Sequence, residues 1–281
     1  MQGHLRPSRA PTGAQDHIRT NELAAHPALR LPSVAVGRDD RQLATTPRVS
    51  VVIPALNEAE NLPHVLTALP SGLHEVVLVD GHSTDETVAV ARQLRPDVKI
   101  ITQSGVGKGN ALASGFAACE GDIIVTIDAD GSADAAEIPR FVAVLLNGAD
   151  VATGSRFLQG SGSADITRVR RWGNLLLKMF ANCLFGTRYT DLCYGYNAFW
   201  SWCLENISFN CEGFEVETLL HIRAVEAGLV VHEVPSYEHR RIHGASNLRV
   251  VRDGWRVLQT ILAERFKSPS VHQPAASWSK S

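Results

Sequence analysis

Two aspartates separated by one small residue, Asp128-Ala129-Asp130, follow the β-branched run Ile123-Ile124-Val125-Thr126-Ile127 and precede Gly131. A run of that kind reads as a short buried strand. In extended chain, positions i and i+2 project to one side. Asp128 and Asp130 are therefore expected side by side at the carboxyl end of a core strand, the edge where open α/β sheets bind ligands. Two adjacent carboxylates repel unless a positive charge lies between them. A hard divalent cation, Mn²⁺ or Mg²⁺, suits that place because it takes oxygen ligands and shares them with phosphates. The plainer alternative is a solvated Asp-x-Asp-Gly turn. The pair does not stand alone, however. Two other predicted strands also end in ligand-capable residues, at Asn57/Glu58 and at Asp80.

The elements that must carry these residues follow in order. Residues 48–54 read as the first strand, which Pro54 is expected to stop because proline cannot donate to a ladder. A helix is expected over 60–69, then a strand over 75–80. A turn follows, with Ser83 or Thr84 as helix N-cap. Residues 98–102 form a third strand. The glycine-rich turn 105–110 leads into a helix over 111–119. The run before Asp128 is the fourth strand, 135–146 a helix and 151–154 a fifth strand. Strands alternating with helices argue for βαβ units and a mostly parallel sheet with right-handed crossovers. Beyond that point the pattern is less regular. Helices are expected over 172–185, 213–227 and 247–266, with a strand over 229–234 broken at Pro235. Residues 191–200 are aromatic and contain glycine.

The chain has 281 residues, 44% of them hydrophobic and 20% charged, with a formal net charge of −2. Nothing in that balance suggests a nucleic-acid partner. Five scattered cysteines lack zinc-site spacing. They argue for reduced thiols and a cytoplasmic protein. No apolar run approaches the ~18–20 residues that a membrane span needs. Residues 1–46 read as a disordered leader and 268–281 as a flexible tail. The catalytic domain is expected over 47–267, with a nucleotide-sugar half (47–156) and an acceptor half (157–267).

Taken together, several segments resemble glycosyltransferase family 2, the inverting GT-A enzymes, and within it the dolichyl-phosphate-mannose-synthase-like branch. The matching segments are Val51-Val52-Ile53-Pro54-Ala55-Leu56-Asn57-Glu58, Val79-Asp80-Gly81, Gly107-Lys108-Gly109-Asn110-Ala111, Asp128-Ala129-Asp130 and Gly154-Ser155-Arg156. Gly213-Phe214-Glu215-Val216-Glu217, Glu233-Val234-Pro235 and Arg241-x-x-Gly244 complete the set. The resemblance implies an α/β, Rossmann-like GT-A fold and a nucleoside-diphosphate-sugar partner carrying guanine or uracil. It implies that Pro54, Ala55, Asn57, Glu58 and Asp80 hold base and ribose, with Lys108 lining the same pocket. Asp128 would lie near ribose and metal, and Asp130 would ligate the metal, with His243 as a third ligand. Arg241, backed by Arg240, would clasp the diphosphate. Glu217, with Glu215 beside it, is the candidate general base. The plainer reading of both is a pair of helix N-terminal carboxylates. Arg156, Arg168 and Arg171 either bind phosphate or form a solvated basic face.

The chain departs from that branch over Gly195-Tyr196-Asn197-Ala198-Phe199-Trp200 and has no carboxy-terminal membrane helix. A peripheral membrane contact through an amphipathic 172–185 helix stays open. A nucleotide-sugar mutase and a non-catalytic nucleotide-sugar binder are the competing functions, since the donor motifs are complete and the acceptor determinants poor.

Overall fold

The computed structural model describes residues 46–267. The expected leader and tail lie, apart from Thr46, outside the described residues.

Strand β1 (Val49–Ala55) is apolar on both faces and buried, the pattern of a parallel strand covered on two sides. Helix α1 (Leu62–Ala68) leads to β2 (Glu75–Asp80). Helix α2 (Thr87–Leu94) leads to the edge strand β3 (Lys99–Thr102). Helix α3 (Gly107–Ala118) then returns the chain across β1 to β4 (Ile123–Thr126). Next come α4 (Ile138–Leu146), β5 (Val151–Ser155) and the short β6 (Gly162–Ser163). Helix α5 (Arg168–Phe185) is followed by β7 (Asn197–Trp200), α6 (Val216–Glu226), β8 (Val231–Pro235), β9 (Tyr237–Glu238) and α7 (Val250–Phe266).

Seven strands form one sheet in the order β3-β2-β1-β4-β7-β5-β8, and β6 pairs with β9. All pairings in the large sheet are parallel except those of β7, which runs antiparallel to both β4 and β5. Alternate residues divide the core. Val51, Ile53, Leu78 and Val125 face one cluster with Leu62, Leu66 and Phe141 of α1 and α4. Val52, Val77, Val79 and Ile124 face the other with Leu112, Phe116 and Leu220 of α3 and α6. A third, smaller cluster joins Ala181, Ile222, Val257 and Ile261 of α5, α6 and α7.

Several expectations need correction. Pro54 does not stop β1; it pairs with Val79 inside the strand. Val52 points its carbonyl at Ile127, and Pro54, two residues on, faces the same side. The β4 ladder has already ended there, at Val52 opposite Thr126, so no partner misses the proline's absent N–H. Neither Ser83 nor Thr84 caps α2. Glu86 holds the N-cap position without a side-chain capping bond, and Asp85 before it accepts from the Thr87 N–H through Oδ1 at 3.0 Å. Helix α3 begins four residues earlier than expected and carries Lys108 in its first turn. Residues 197–200, not expected as a strand, form β7 inside the sheet, between β4 and β5.

Candidate active site

The chain runs outward from β1 to β2 and β3, then jumps back to place β4 on the other side of β1. At such a switch point the connections leave in opposite directions and open a crevice beyond the carboxyl ends of the strands. A cavity of about 600 Å³ lies there, lined by Pro54, Ala55 and Glu58 after β1 and by Asp128 and Asp130 after β4.

The two aspartates do not sit on an extended strand. The ladder ends at Thr126, and Ala129–Asp130 form a turn. Asp130 Oδ1 accepts from the Ser132 N–H at 2.9 Å. Each aspartate meets its own cation. Lys108 Nζ lies 2.6 Å from Asp128 Oδ1 and 2.7 Å from Glu217 Oε1. Arg241 donates to both Glu58 oxygens, at 3.0 and 2.9 Å, and stands 3.4 Å from Asp130 Oδ2. Asn61 braces Glu58 from behind at 2.5 Å.

Glycines make the Lys108 arrangement possible. Gly107 has φ +87° and no room for a Cβ against the Glu212 carbonyl, and a Cβ at Gly109 would strike the Cys211 carbonyl. The Gly109 N–H instead donates to the Glu212 carbonyl at 2.9 Å. This close approach ties the first turn of α3 to the loop before α6 and sets Lys108 opposite Glu217. Gly195, which sequence reasoning did not single out, completes the fit. A Cβ there would come within 2.6 Å of Lys108 Nζ and 2.9 Å of Asp128 Oδ2.

Burial pushes the Glu217 carboxyl above the ordinary glutamate range, against the pull of Lys108, with the nearby Asp128 charge adding to the rise. Burial works the other way on Lys108. Asp128 and Glu217 outweigh it and hold the ammonium above the usual lysine value. Two cations among four carboxylates leave a formal excess of two negative charges. A divalent cation offsets such an excess, and the hard carboxylate oxygens of Asp128 and Asp130 suit Mn²⁺ or Mg²⁺. Among the described residues, no group of three His, Cys, Asp or Glu side chains assembles to hold a metal. The structure does not gather His243 with the aspartates. Its backbone is tied to Asn61 in both directions, and its ring lies 5.9 Å from that of His64.

The other expected residues fall into distinct places. Asp80, at the end of β2, accepts from the Ser83 N–H at 3.2 Å. Asn57, in the left-handed region at φ +56°, turns its side chain to the Thr84 N–H at 2.8 Å and so joins two loops. Glu215 does not line the main cavity; it accepts from the Gly213 N–H and pairs with Arg256 of α7 at 3.3 Å. Arg240 lines the cavity from an exposed position, donating to the Ala164 carbonyl at 3.4 Å.

Arg156 is not part of a solvated basic face. It is 5% exposed, bidentate to Asp191 at 2.7 and 3.0 Å and bonded to Glu238 at 3.0 Å. Arg168 and Arg171 are exposed in the first turns of α5, whereas Arg170 between them lines the cavity and pairs with Asp165. Gln103 was also missed. It is a buried lining residue at the end of β3 whose Oε1 has no partner.

The family model "Glycosyl transferase family 2" matches residues 50–201. Polyprenol monophosphomannose synthase of Mycolicibacterium smegmatis is 33% identical over 229 residues, covering 75% of this chain and 85% of that one. An uncharacterized glycosyltransferase of Mycobacterium tuberculosis is 44% identical over 108 residues, 38% of this chain. That match spans 48% of the relative's own length. Among solved structures, glucosyl-3-phosphoglycerate synthase of Mycobacterium tuberculosis, in complex with Mn²⁺, UDP and glucosyl-3-phosphoglycerate, is similar with a TM-score of 0.61 and 25% identity. The similarity covers 80% of this chain and 81% of that one. The fold is that of the GT-A glycosyltransferases, and the similarity to a polyprenol monophosphomannose synthase agrees with the branch resembled. With more than half of the residues under one family model and the same motifs lining the crevice, the chain belongs to glycosyltransferase family 2.

Proposed function

We propose that this chain transfers a sugar from a nucleoside-diphosphate sugar, with Mn²⁺ or Mg²⁺ held by Asp128 and Asp130. The observation that carries this reading is the pair of cation-bridged carboxylate sets at the switch-point crevice. A diphosphate with a divalent cation matches both the cationic side chains and the excess negative charge found there. The bound cation would offset the charge that develops on the departing nucleoside diphosphate. Arg241 reaches across the crevice from Glu58 to Asp130, and its planar fork suits bidentate contact with phosphate oxygens. Pro54, Ala55, Asp80 and the unpartnered Gln103 Oε1 provide the surface for base and ribose. Glu217 is the proton acceptor for an attacking hydroxyl. Burial strengthens its hold on a proton, and Lys108 at 2.7 Å opposes that pull. Similarity to a synthase solved with Mn²⁺ and UDP-glucose supports a donor of this class.

The test is incubation of the full chain with Mn²⁺ and a panel of GDP- and UDP-sugars, followed by NMR and chromatography. Release of nucleoside diphosphate from one donor, slow without acceptor, is the expected result. An isomeric nucleotide sugar with none released would replace transfer by rearrangement. Asp130→Ala should lower turnover at least a hundredfold, about 3 kcal/mol, with circular dichroism unchanged. Activity that survives both this substitution and a chelator overturns the metal assignment.

A further inference from the structure

A second cavity, of about 330 Å³, adjoins the main one and shares Lys108, Phe214 and Asn247 with it. Its size falls within the range of small-molecule sites, about 300–1,000 Å³. The two cavities differ in the sign of their charge. Seven carboxylates and five cationic side chains line the main one. Two carboxylates and four cationic side chains line the second. In a chain of net charge −2, the smaller cavity thus gathers positive charge beside a neighbour that carries a negative excess.

The start of α7 supplies most of that charge. Arg249 at the N-cap, Arg252 and Arg256 recur at intervals of three and four residues, the spacing of one helix face, and all three line the cavity. Arg249 and Arg252 are exposed, and among the described residues their guanidinium groups have no hydrogen-bond or ion-pair partner. Arg256 is half-buried and gives Nη2 to Glu215 at 3.3 Å. Lys108 is held by Asp128 and Glu217. Of the two lining carboxylates, Asp253 is buried and accepts from the Arg249 N–H at 2.6 Å, and Glu212 is exposed. Arginine does not shed its proton in a protein, so the cluster keeps its charge at any ordinary pH. Like charges gathered this way are relieved by an anion between them. The guanidinium fork matches phosphate oxygens two at a time.

We propose that this second cavity binds a soluble phosphorylated molecule, its phosphate held by Arg249, Arg252 and Arg256. The occupant stands against Gly107 and Lys108, the turn whose lysine joins Asp128 to Glu217. The site goes beyond the transferase reading and does not depend on it, because binding is read without donor, metal or turnover.

The test is calorimetric titration of the full chain with inorganic pyrophosphate at low ionic strength, without divalent metal. Saturable binding that salt weakens is the expected result. The double variant Arg249→Gln, Arg252→Gln changes only exposed side chains. It should weaken binding at least tenfold with an unchanged circular dichroism spectrum. The control variant Arg168→Gln, Arg171→Gln removes as much charge from exposed positions on α5, outside this cavity, and should bind as wild type does. A wild-type chain that does not bind overturns the proposal. So does a first variant that binds as well as wild type, which would put the pyrophosphate in the main crevice. Equal loss in both variants also overturns it, since net charge alone would then account for binding. Dihexanoyl phosphatidic acid binding more tightly than pyrophosphate would overturn the assignment to a soluble ligand and give the site to a lipid headgroup.

Discussion

Lys108 occupies a position that disfavours its charge. It lies in the first turn of α3, where a cation opposes the helix dipole at a cost of about 0.3–1 kcal/mol. Asp128 and Glu217, at 2.6 and 2.7 Å, decide the matter. Breaking one side of a buried ion pair costs about 3–5 kcal/mol, several times the dipole term. The lysine therefore stays charged and holds a candidate metal ligand and a candidate base in one frame. Gly195 leaves the space for this. Gly195→Ala should displace Lys108 from Asp128, weaken donor binding about tenfold to a hundredfold, ~1.4–2.8 kcal/mol, and lower the melting temperature, because the ion pair on one side of Lys108 is lost. Calorimetric titration with the donor and Mn²⁺ measures it. Wild-type affinity in the alanine variant would show that the close approach at Gly195 does not matter to the ligand.

At the scale of elements, Arg156 ties three segments together: the end of β5, the loop holding Asp191, and Glu238 of β9. Its guanidinium also lies 4.9 Å from the Tyr194 ring. Burial alone would lower the arginine's proton affinity, but Asp191 and Glu238 reverse that. Asp191 is correspondingly held below the usual carboxylate range despite its burial. Arg156→Ala leaves two buried carboxylates without their cation and should cost about 3–5 kcal/mol in urea unfolding. Arg156→Lys should recover only part, since a single ammonium cannot reproduce the fork. If Arg156 acts instead as a phosphate-binding residue, the alanine variant keeps its stability and loses only ligand affinity.

For the whole molecule, the buried groups behind the site predict how stability responds to acid. The His221 ring lies beneath Glu217, its Nδ1 2.6 Å from the Glu217 carbonyl oxygen, and burial lowers its pKa below the ordinary 6.5. Below about pH 6.5 the unfolded chain takes up a proton that the folded chain resists. Stability from this group is therefore complete above that pH and lost as pH falls through the depressed folded value. Glu217 acts in the opposite sense. Its raised pKa favours the folded state at low pH and removes stability as pH rises through the folded value. The two contributions run in opposite senses, so a wild-type profile alone does not separate them. His221→Gln should flatten the acid limb by up to about 1.4 kcal/mol per pH unit in denaturant midpoints measured from pH 5 to 7. An unchanged slope would mean that His221 protonates without cost.

The first four strands, their parallel pairing and the carboxylates that follow three of them were legible because they depend on local pattern: β-branched runs, turn glycines and their spacing. The central antiparallel strand was not. Residues 197–200 pair with Ile123–Thr126 and Val151–Thr153, and no short-range signal encodes partners so distant. The start of α3 was misplaced because Gly107 and Lys108 looked like turn residues, and only the approach of Glu212 makes them helical. Arg156 reads from sequence as a phosphate ligand or a surface cation because its partners, Asp191 and Glu238, lie 35 and 82 residues away. Gln103 and Gly195 carried no motif of their own. The sequence by itself determined the family, the βαβ order and which chemical groups arrive at the carboxyl edge of the sheet. Only the tertiary structure decided which charges face one another there. Glu58 and Arg241 are 183 residues apart, and folding of the whole sheet is what brings such partners to within 3 Å.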